Sequence, residues 1–266
     1  MAEPETPPLP DQPVLFERIS RHIALVTLNR PAVRNAINRA ATQLLESYVR
    51  TVEEDEDIRI AILAAAGEKA FCAGADLAET AAGHGLSLRT PDGGFAGFVH
   101  APRRKPWIAA VQGFALGGGL ELPLACDLIV AAKGAVFGLP EPSRGILAGA
   151  GGMFRLPRAI PRAVALEMLI TGAPIDAARA YALGLVNRVV DEAVLIAEAL
   201  KIAERVVANA PMSVRESLAV GRIASEQTEA ALWQLSTAAS ARVLAHEDSR
   251  EGPRAFVEKR PPVWRG

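Results

Sequence analysis

The sequence is poor in cysteine and in net charge. Only two cysteines, Cys72 and Cys126, occur in 266 residues. They are too few for a disulfide framework and, with no C-x-x-C pair, too few for a zinc site, so a reducing cytoplasm fits. The formal net charge of -1 provides no strongly basic surface of the kind that nucleic-acid binding usually requires. Neither nucleic acid nor an acidic membrane is therefore an expected partner.

The sequence also lacks long apolar runs, and its first residues do not predict a signal peptide. No run of about 18 apolar residues occurs, so no membrane-spanning helix is predicted. Residues 1–13, MAEPETPPLPDQP, are proline-rich and acidic and lack the basic and apolar regions of a signal peptide. We expect these residues to form a flexible tail and the protein to be cytoplasmic.

Histidine is scarce and shows no catalytic or metal-binding pattern. The four histidines have no metal-ligand spacing, and no G-x-S-x-G motif is present to complete a serine triad. We therefore expect no bound metal.

What the sequence does contain predicts an α/β core. Strand-like segments rich in β-branched residues alternate with helix-like segments, and the clearest helix begins at about Asn38. The glycine-rich segment 81–100 is predicted to be a mobile loop or lid. From about residue 178 strand signals disappear and helical stripes follow. We therefore predict three parts: a tail (1–13), an α/β core (14–199) and a helical region (200–266).

The segment ALGGGLELPLACD, residues 115–127, places three glycines directly before Glu121 in an otherwise apolar stretch. A strand that ends here and a helix that begins here point unpaired backbone N–H groups outward, at the positive end of the helix dipole. Glycine lets a ligand approach that backbone closely. Neither a P-loop nor G-x-G-x-x-G fits, so the pattern indicates an oxyanion site more than a nucleotide phosphate site.

Two further segments share this character. In FCAGAD, residues 71–76, a strand-like end again meets a glycine and a helix start, so two such loops could aim two N–H groups at one carbonyl oxygen. In FGLPEPSRG the prolines on both sides of Glu141 hold that carboxylate in place. Taken alone, Glu121 is as consistent with helix capping as with catalysis, and Glu141 alone is more typical of a solvated loop.

Together these fragments resemble the enoyl-CoA hydratase/isomerase, or crotonase, family. The resemblance runs from about residue 14 to residue 264. It is carried by LNRPAVRNAI, FCAGADL, KPWIAAVQGFALGGGLELPLACDLIVA, FGLPEPSRGILAGAGGMFRLPR and EDSREGPRAFVEKRPPVW, in family order. It implies a spiral of repeated ββα units with C-terminal helices used for trimerisation. The expected partners are an acyl-CoA substrate and further copies of the chain, as a homotrimer or homohexamer, with no cofactor beyond the coenzyme A of the substrate.

The resemblance also assigns chemical roles. The backbone N–H groups of Ala75 and Gly118 would hold the thioester oxygen as it becomes enolate-like. Glu121 would activate a water for attack at C3 of a trans-2-enoyl-CoA, and Glu141 would deliver a proton to C2. Two close carboxylates in an apolar pocket cannot both ionise cheaply, so one pKa should rise.

A third set of residues would bind the substrate. Arg34, and Lys259 from a neighbouring subunit, would approach the CoA nucleotide, where their charge suits its phosphates. Asp76 is more typical of a helix N-terminus than of a catalyst. The predicted substrate and CoA contacts are Arg34, Ala36, Ala73, Asp76, Leu77 and Lys259.

The expected activity is therefore hydration of a trans-2-enoyl-CoA, and two alternatives remain. One is an enoyl-CoA isomerase, which can also use a glutamate to move a proton between C2 and C4. The other is an acyl-CoA-binding protein without turnover. The fold alone does not select the reaction, and the presence of both carboxylates favours hydration.

Overall fold

The computed structural model describes residues 12–266, so the predicted tail lies outside the described residues except for residues 12 and 13. Within the described part, strands and helices alternate as expected for an α/β protein. The strands are β1 (Val14–Ser20), β2 (Ile23–Leu28), β3 (Ile60–Ala65), β4 (Ala70–Cys72), β5 (Arg89–Thr90), β6 (Gly94–Phe95), β7 (Trp107–Val111), β8 (Phe114–Leu116), β9 (Leu128–Ala132), β10 (Val136–Gly138), β11 (Ile175–Asp176) and β12 (Arg188–Val190).

The helices fall into a core group and a C-terminal group. They are α1 (Arg39–Glu54), α2 (Leu77–Glu79), α3 (Gly118–Leu124), α4 (Gly152–Ala159), α5 (Arg162–Thr171), α6 (Ala177–Ala182), α7 (Leu195–Val207), α8 (Pro211–Arg222), α9 (Glu229–Ala245) and α10 (Asp248–Glu258).

Two sheets form the core. The larger has six strands in the order β1-β2-β3-β7-β9-β12, and the smaller has four in the order β11-β10-β8-β4. The strands from β2 to β12 in the larger sheet are parallel, and only β1 is antiparallel to its neighbour. Every residue of β7 is buried, as expected for a central parallel strand covered on both faces.

Successive pairs of strands alternate between the two sheets. β3, β7 and β9 lie side by side in the larger sheet, whereas β4, β8 and β10, which follow them in the chain, belong to the smaller one. After each pair the chain enters a helix or helical turn: α2, then α3, then a 3-10 helix at Glu141–Arg144. This confirms the spiral of repeated ββα units. The spiral also brings the three helix starts to the same end of the smaller sheet.

Helix α1 forms where the periodicity predicts it. The side chain of Asn38 caps its N-terminus by accepting a hydrogen bond from the Ala41 N–H at 2.8 Å. Leu45, Val49 and Val52 are buried on one face of the helix, and they join the core between the sheets. Capping and burial thus both specify this helix.

The glycine-rich segment after α2 differs from the expected mobile loop. Its second half forms the β5–β6 hairpin, and Leu88, Phe95 and Phe98 are buried in the main core. A Cβ atom placed on Gly97 would lie 2.5 Å from the Cβ of Glu46 in α1. The glycines therefore allow the hairpin to approach α1 closely, and the aromatic side chains anchor it.

The C-terminal part is helical, as predicted, but one strand in front of it was missed. β12 pairs in parallel with β9 and extends the larger sheet, although strand signals appeared to end near residue 178. It spans only three residues, too few for a recognisable pattern. The predicted boundary after residue 199 falls inside α7, whose Leu195, Ala199 and Ala203 pack on the larger sheet.

Candidate active site

The first helical turn of α3 packs against the loop that follows β4. A Cβ atom placed on Gly119 would lie 1.9 Å from the carbonyl oxygen of Cys72, and one on Gly74 would lie 3.2 Å from the nitrogen of Gly118. The two backbone segments therefore touch with no side chain between them. This contact brings together the two loops that the sequence predicted to act jointly.

Each loop presents a backbone N–H group that forms no hydrogen bond within the local secondary structure. At the bridge between residues 37 and 75, the Ile37 N–H donates to the Gly74 oxygen and the Asp76 N–H donates to the Ile37 oxygen. That pattern leaves the Ala75 N–H out of the bridge. Gly118 is the first residue of α3, where an N–H has no partner within the helix. The geometry suits an oxyanion hole.

Glu121 lies in the first turn of α3 and is 3% exposed. Its Oε1 atom accepts hydrogen bonds from the Ala150 N–H at 2.7 Å and the Gly152 N–H at 2.8 Å. Gly152 is the first residue of α4, so the carboxylate lies at the positive end of that helix as well as its own. The hydrogen bonds to the Glu121 carboxylate thus come from the start of α4, and the side chain of Glu121 does not cap α3.

Glu141 lies at the start of the 3-10 helix between its two prolines and is 6% exposed. Its Oε2 atom is buried and has no hydrogen-bond partner among residues 12–266. A Cβ atom placed on Gly117 would lie 3.2 Å from Glu141 Oε1. Glu141 therefore packs on the residue directly before the Gly118 N–H, with one oxygen left for a ligand or water.

Burial raises the pKa of both glutamates. It raises the pKa of Glu121 to about 6, although the two backbone donors oppose the rise; the charge of Glu141 adds to it and that of Arg89 opposes it. Burial likewise raises the pKa of Glu141, against the opposing charge of Arg144. Raised carboxyl pKa values near neutrality are typical of acid–base sites.

The predicted CoA contacts near the β4 loop are brought together by hydrogen bonds. The Ala73 N–H donates to the Arg34 oxygen at 3.0 Å. Arg30 binds both the Ala36 oxygen, at 2.6 Å, and Asp76 Oδ2, at 2.9 Å. Partial burial alone would raise the pKa of Asp76, but the hydrogen bonds from Arg30 and the backbone outweigh it and lower the pKa.

Of the remaining predicted contacts, Leu77 and Lys259 lie at the surface. Asp76 caps α2 by accepting from the Ala78 N–H, as its sequence position suggested, and Leu77 beside it is 56% exposed. Lys259 is exposed just beyond the end of α10. Its role in CoA binding across a subunit boundary stays a prediction.

One residue that supports the site, Asn35, was not found from the sequence. Asn35 is buried and joins three backbone groups: its Oδ1 accepts from the Arg30 N–H, and its Nδ2 donates to the oxygens of Ala66 and Ala70. It fixes the segment that bridges to the Ala75 loop. An isolated asparagine after an arginine carries no periodic signal, so only the folded contacts show its function.

Two other kinds of site are absent from the described part of the chain. Residues 12–266 contain no group of three or more histidine, cysteine or acidic side chains placed to hold a metal ion. No helix in the same range is both long and apolar enough to cross a bilayer.

Comparison with known proteins identifies the class. The sequence profile of the enoyl-CoA hydratase/isomerase family matches residues 18–266. An enoyl-CoA hydratase structure from Mycobacterium tuberculosis H37Rv is 38% identical, with a TM-score of 0.92 over 96% of this chain and 100% of that one. The chain belongs to the enoyl-CoA hydratase/isomerase family and has its crotonase fold.

Other relatives have names that specify a different acyl group. A carnitinyl-CoA dehydratase from Citrobacter koseri is 40% identical over 254 residues, covering 93% of this chain and 97% of the relative. The structure of a carnitinyl-CoA hydratase from Mycobacterium avium is 42% identical, with a TM-score of 0.76 over 96% of this chain and 98% of that one. The protein is thus an enzyme of the hydro-lyase kind that acts on acyl-CoA.

Proposed function

We propose that the protein hydrates a trans-2-enoyl-CoA, adding water across the C2=C3 bond, with dehydration as the reverse reaction. The observation that supports this most is the placement of two buried carboxylates beside two unused backbone N–H groups. Ala75 N–H and Gly118 N–H bind the thioester oxygen and stabilise the enolate-like charge that develops there. Removing one donor of this kind typically costs about 3 to 4 kcal/mol of transition-state stabilisation.

The hydrogen bonds of the two glutamates support different roles. Glu121 Oε1 accepts from two N–H groups, and such bonds favour the ionised form. It therefore acts as the base that removes a proton from water during attack at C3. Glu141 keeps one buried oxygen unpaired, so that oxygen is free to carry the proton that is delivered to C2. The step adds OH to C3 and H to C2 and leaves the second water proton on Glu121 and a negative charge on Glu141. Transfer of that proton from Glu121 to Glu141 restores the starting state.

The experiment is to follow crotonyl-CoA and a longer trans-2-enoyl-CoA by the loss of conjugated-thioester absorbance. Glu121→Gln and Glu141→Gln are each expected to lower kcat by about 100-fold or more. Glu167→Gln is the control, because Glu167 is exposed on α5. In the wild type kcat/KM should fall below about pH 6, where Glu121 becomes protonated.

Other outcomes would replace this proposal. A wild-type enzyme that binds CoA esters but hydrates no enoyl-CoA contradicts it. If that enzyme instead converts a 3-enoyl-CoA into a product of unchanged mass, the reaction is isomerisation. Binding with no conversion of any enoyl-CoA indicates a protein without turnover.

We also propose that copies of the chain assemble through the C-terminal helices, as a homotrimer or a pair of trimers. Of the residues of α9 only Ala239 is buried, and Trp233 is 66% exposed. On α10, Phe256 and Val257 are 85% and 78% exposed. Light scattering should give about three or six times the chain mass of 28.1 kDa, and replacing Phe256 and Val257 by aspartate should lower it. A monomeric wild type contradicts the assembly.

We also propose that the protein is cytoplasmic and that it needs no separate cofactor. Addition of water to a conjugated thioester needs acid–base groups and an oxyanion site, and the described residues can supply both. Full activity of protein prepared in the presence of a chelator is the expected result, and restoration by an added metal would contradict it.

A further inference from the structure

The β5–β6 hairpin is fixed over the candidate site. A Cβ atom placed on Gly118 would lie 2.6 Å from the Phe95 ring, so that ring covers the proposed oxyanion residue. In the antiparallel ladder Arg89 pairs with Phe95, and directly opposite residues project from the same face of a hairpin. Arg89 is therefore held on the side of the hairpin that faces the site.

The guanidinium of Arg89 reaches the segment behind Glu121. Its Nη2 atom lies 3.6 Å from where a Cβ atom on Gly149 would be. Ala150, the next residue, donates its N–H to Glu121 Oε1 at 2.7 Å. The side chain of Arg89 and the carboxylate of Glu121 thus approach the same short segment, residues 149–152.

Arg89 carries a charge that the protein does not neutralise by contact. Among residues 12–266 it forms no ion pair, and its guanidinium donates no hydrogen bond. The neighbouring Arg30 and Arg155 differ, because Arg30 binds Asp76 and Arg155 binds the oxygens of Val99 and Ala150. The five N–H donors of Arg89 are left for a ligand or solvent.

Residues 146–149 form a wall beside Arg89, and two of their side chains are apolar and exposed. Ile146 and Leu147 are 54% and 69% exposed in the segment that leads to Gly149. Glu121 acts at C3 in the proposed reaction, so the acyl chain from C4 onward begins beside this wall. An acyl chain in this position meets the apolar side chains of Ile146 and Leu147 and the guanidinium of Arg89.

We propose that Arg89 determines acyl specificity by binding an anionic group on the acyl chain beyond C3, with a carboxylate as the fitting chemistry. The planar guanidinium matches a carboxylate in bidentate geometry. The same charge repels an acyl chain that carries a quaternary ammonium group. This inference rests on the proposed function, because the reaction places C4 on the Glu121 side.

The test compares six-carbon and eight-carbon trans-2-enoyl-CoA substrates that end in a methyl group, a carboxylate or a trimethylammonium group. The measured quantity is the ratio of kcat/KM for a charged substrate to that for the neutral one. This ratio cancels any effect of Arg89 on the acid–base chemistry common to both substrates. The wild type is expected to prefer the carboxylate at one of the two lengths by about 10- to 100-fold.

Substitution of Arg89 should change this ratio in a defined order. Arg89→Met is expected to remove the preference, Arg89→Lys to retain part of it, and Arg89→Glu to shift it toward trimethylammonium. Arg144→Met is the control, since it removes an equal charge that acts on Glu141 instead, and the ratio should stay within about threefold. A wild-type ratio at or below one, or an equal effect of both methionine variants, overturns the inference.

A failure of the proposed function is distinguishable from a failure of this inference. If the wild type hydrates none of the substrates, calorimetric titration with saturated acyl-CoA esters that end in methyl or carboxylate still tests Arg89. Tighter binding of the carboxylate ester, lost in Arg89→Met, supports the inference without turnover. Equal binding of both esters in wild type and variant overturns it.

Discussion

The raised pKa of Glu121 leads to a thermodynamic prediction that does not require a known substrate. Burial moves that pKa from 4.5 to about 6. Between these two pH values the folded chain holds a proton at Glu121 that the unfolded chain has lost. Folding stability is therefore lost as the pH rises through this interval. At about 1.4 kcal/mol per pH unit, the interval corresponds to about 2 kcal/mol.

Glu121→Gln removes this titration and keeps an oxygen that can accept from Ala150 N–H and Gly152 N–H. The free energy of unfolding of the variant, relative to the wild type, should increase by about 2 kcal/mol between about pH 4 and about pH 7. Glutamine loses the charge-assisted part of both hydrogen bonds. This loss lowers the free energy of unfolding of the variant by a constant amount, but it does not change the sign with which the difference from the wild type varies with pH.

Urea unfolding at a fixed protein concentration and a series of pH values measures this difference, and the fixed concentration matters because assembly contributes to stability. Glu167→Gln, on the exposed face of α5, should give no pH-dependent difference. A flat difference for Glu121→Gln would refute the raised pKa. A difference of opposite slope would mean that the two N–H groups and the helix dipoles outweigh burial.

Three further predictions concern the backbone around the site. Gly119→Ala should destabilise the protein by about 3 kcal/mol or more in thermal unfolding, because the added Cβ would overlap the Cys72 oxygen. The control Gly134→Ala should be neutral, because nothing lies within 4 Å of its added Cβ. Similar melting temperatures for the two variants would contradict the contact. Asn35→Ala should cost about 3 kcal/mol by losing three backbone hydrogen bonds, and a loss under about 1 kcal/mol would mean that water replaces them. Arg30→Met should weaken CoA binding in titration calorimetry by loosening the turn at Asp76, and unchanged affinity would show that the turn is held without the ion pair.

The part of the site that could be predicted from the sequence is the part built from local signals. A glycine run before a helix start indicates exposed N–H groups, and prolines around Glu141 indicate a fixed carboxylate. The structure places Glu121, Glu141 and Gly118 on adjacent segments as expected. Their distance in the chain did not matter, because the ββα repeat brings successive helix starts to one end of the smaller sheet.

The parts that were missed depend on contacts between distant segments. The hydrogen bonds from the turn before α4 to Glu121 join residues about 30 positions apart, and no pattern in either segment encodes the pairing. The β5–β6 hairpin was predicted to be mobile because its glycines suggested freedom. In the fold the same glycines permit close packing, and the buried Phe95 and Phe98 decide the outcome.

The contact between the two glycine loops has a consequence for how this protein can be changed by mutation. Main-chain donors cannot be deleted by substitution, so Ala75 should accept many side chains, whereas Gly74 and Gly119 should accept almost none. The groups proposed to set the reaction and the acyl preference, Glu121 and Arg89, lie on separate segments. A saturation-mutagenesis library at these segments can therefore vary the proposed chemistry while the two glycine loops stay intact, which makes the fold a favourable starting point for directed evolution.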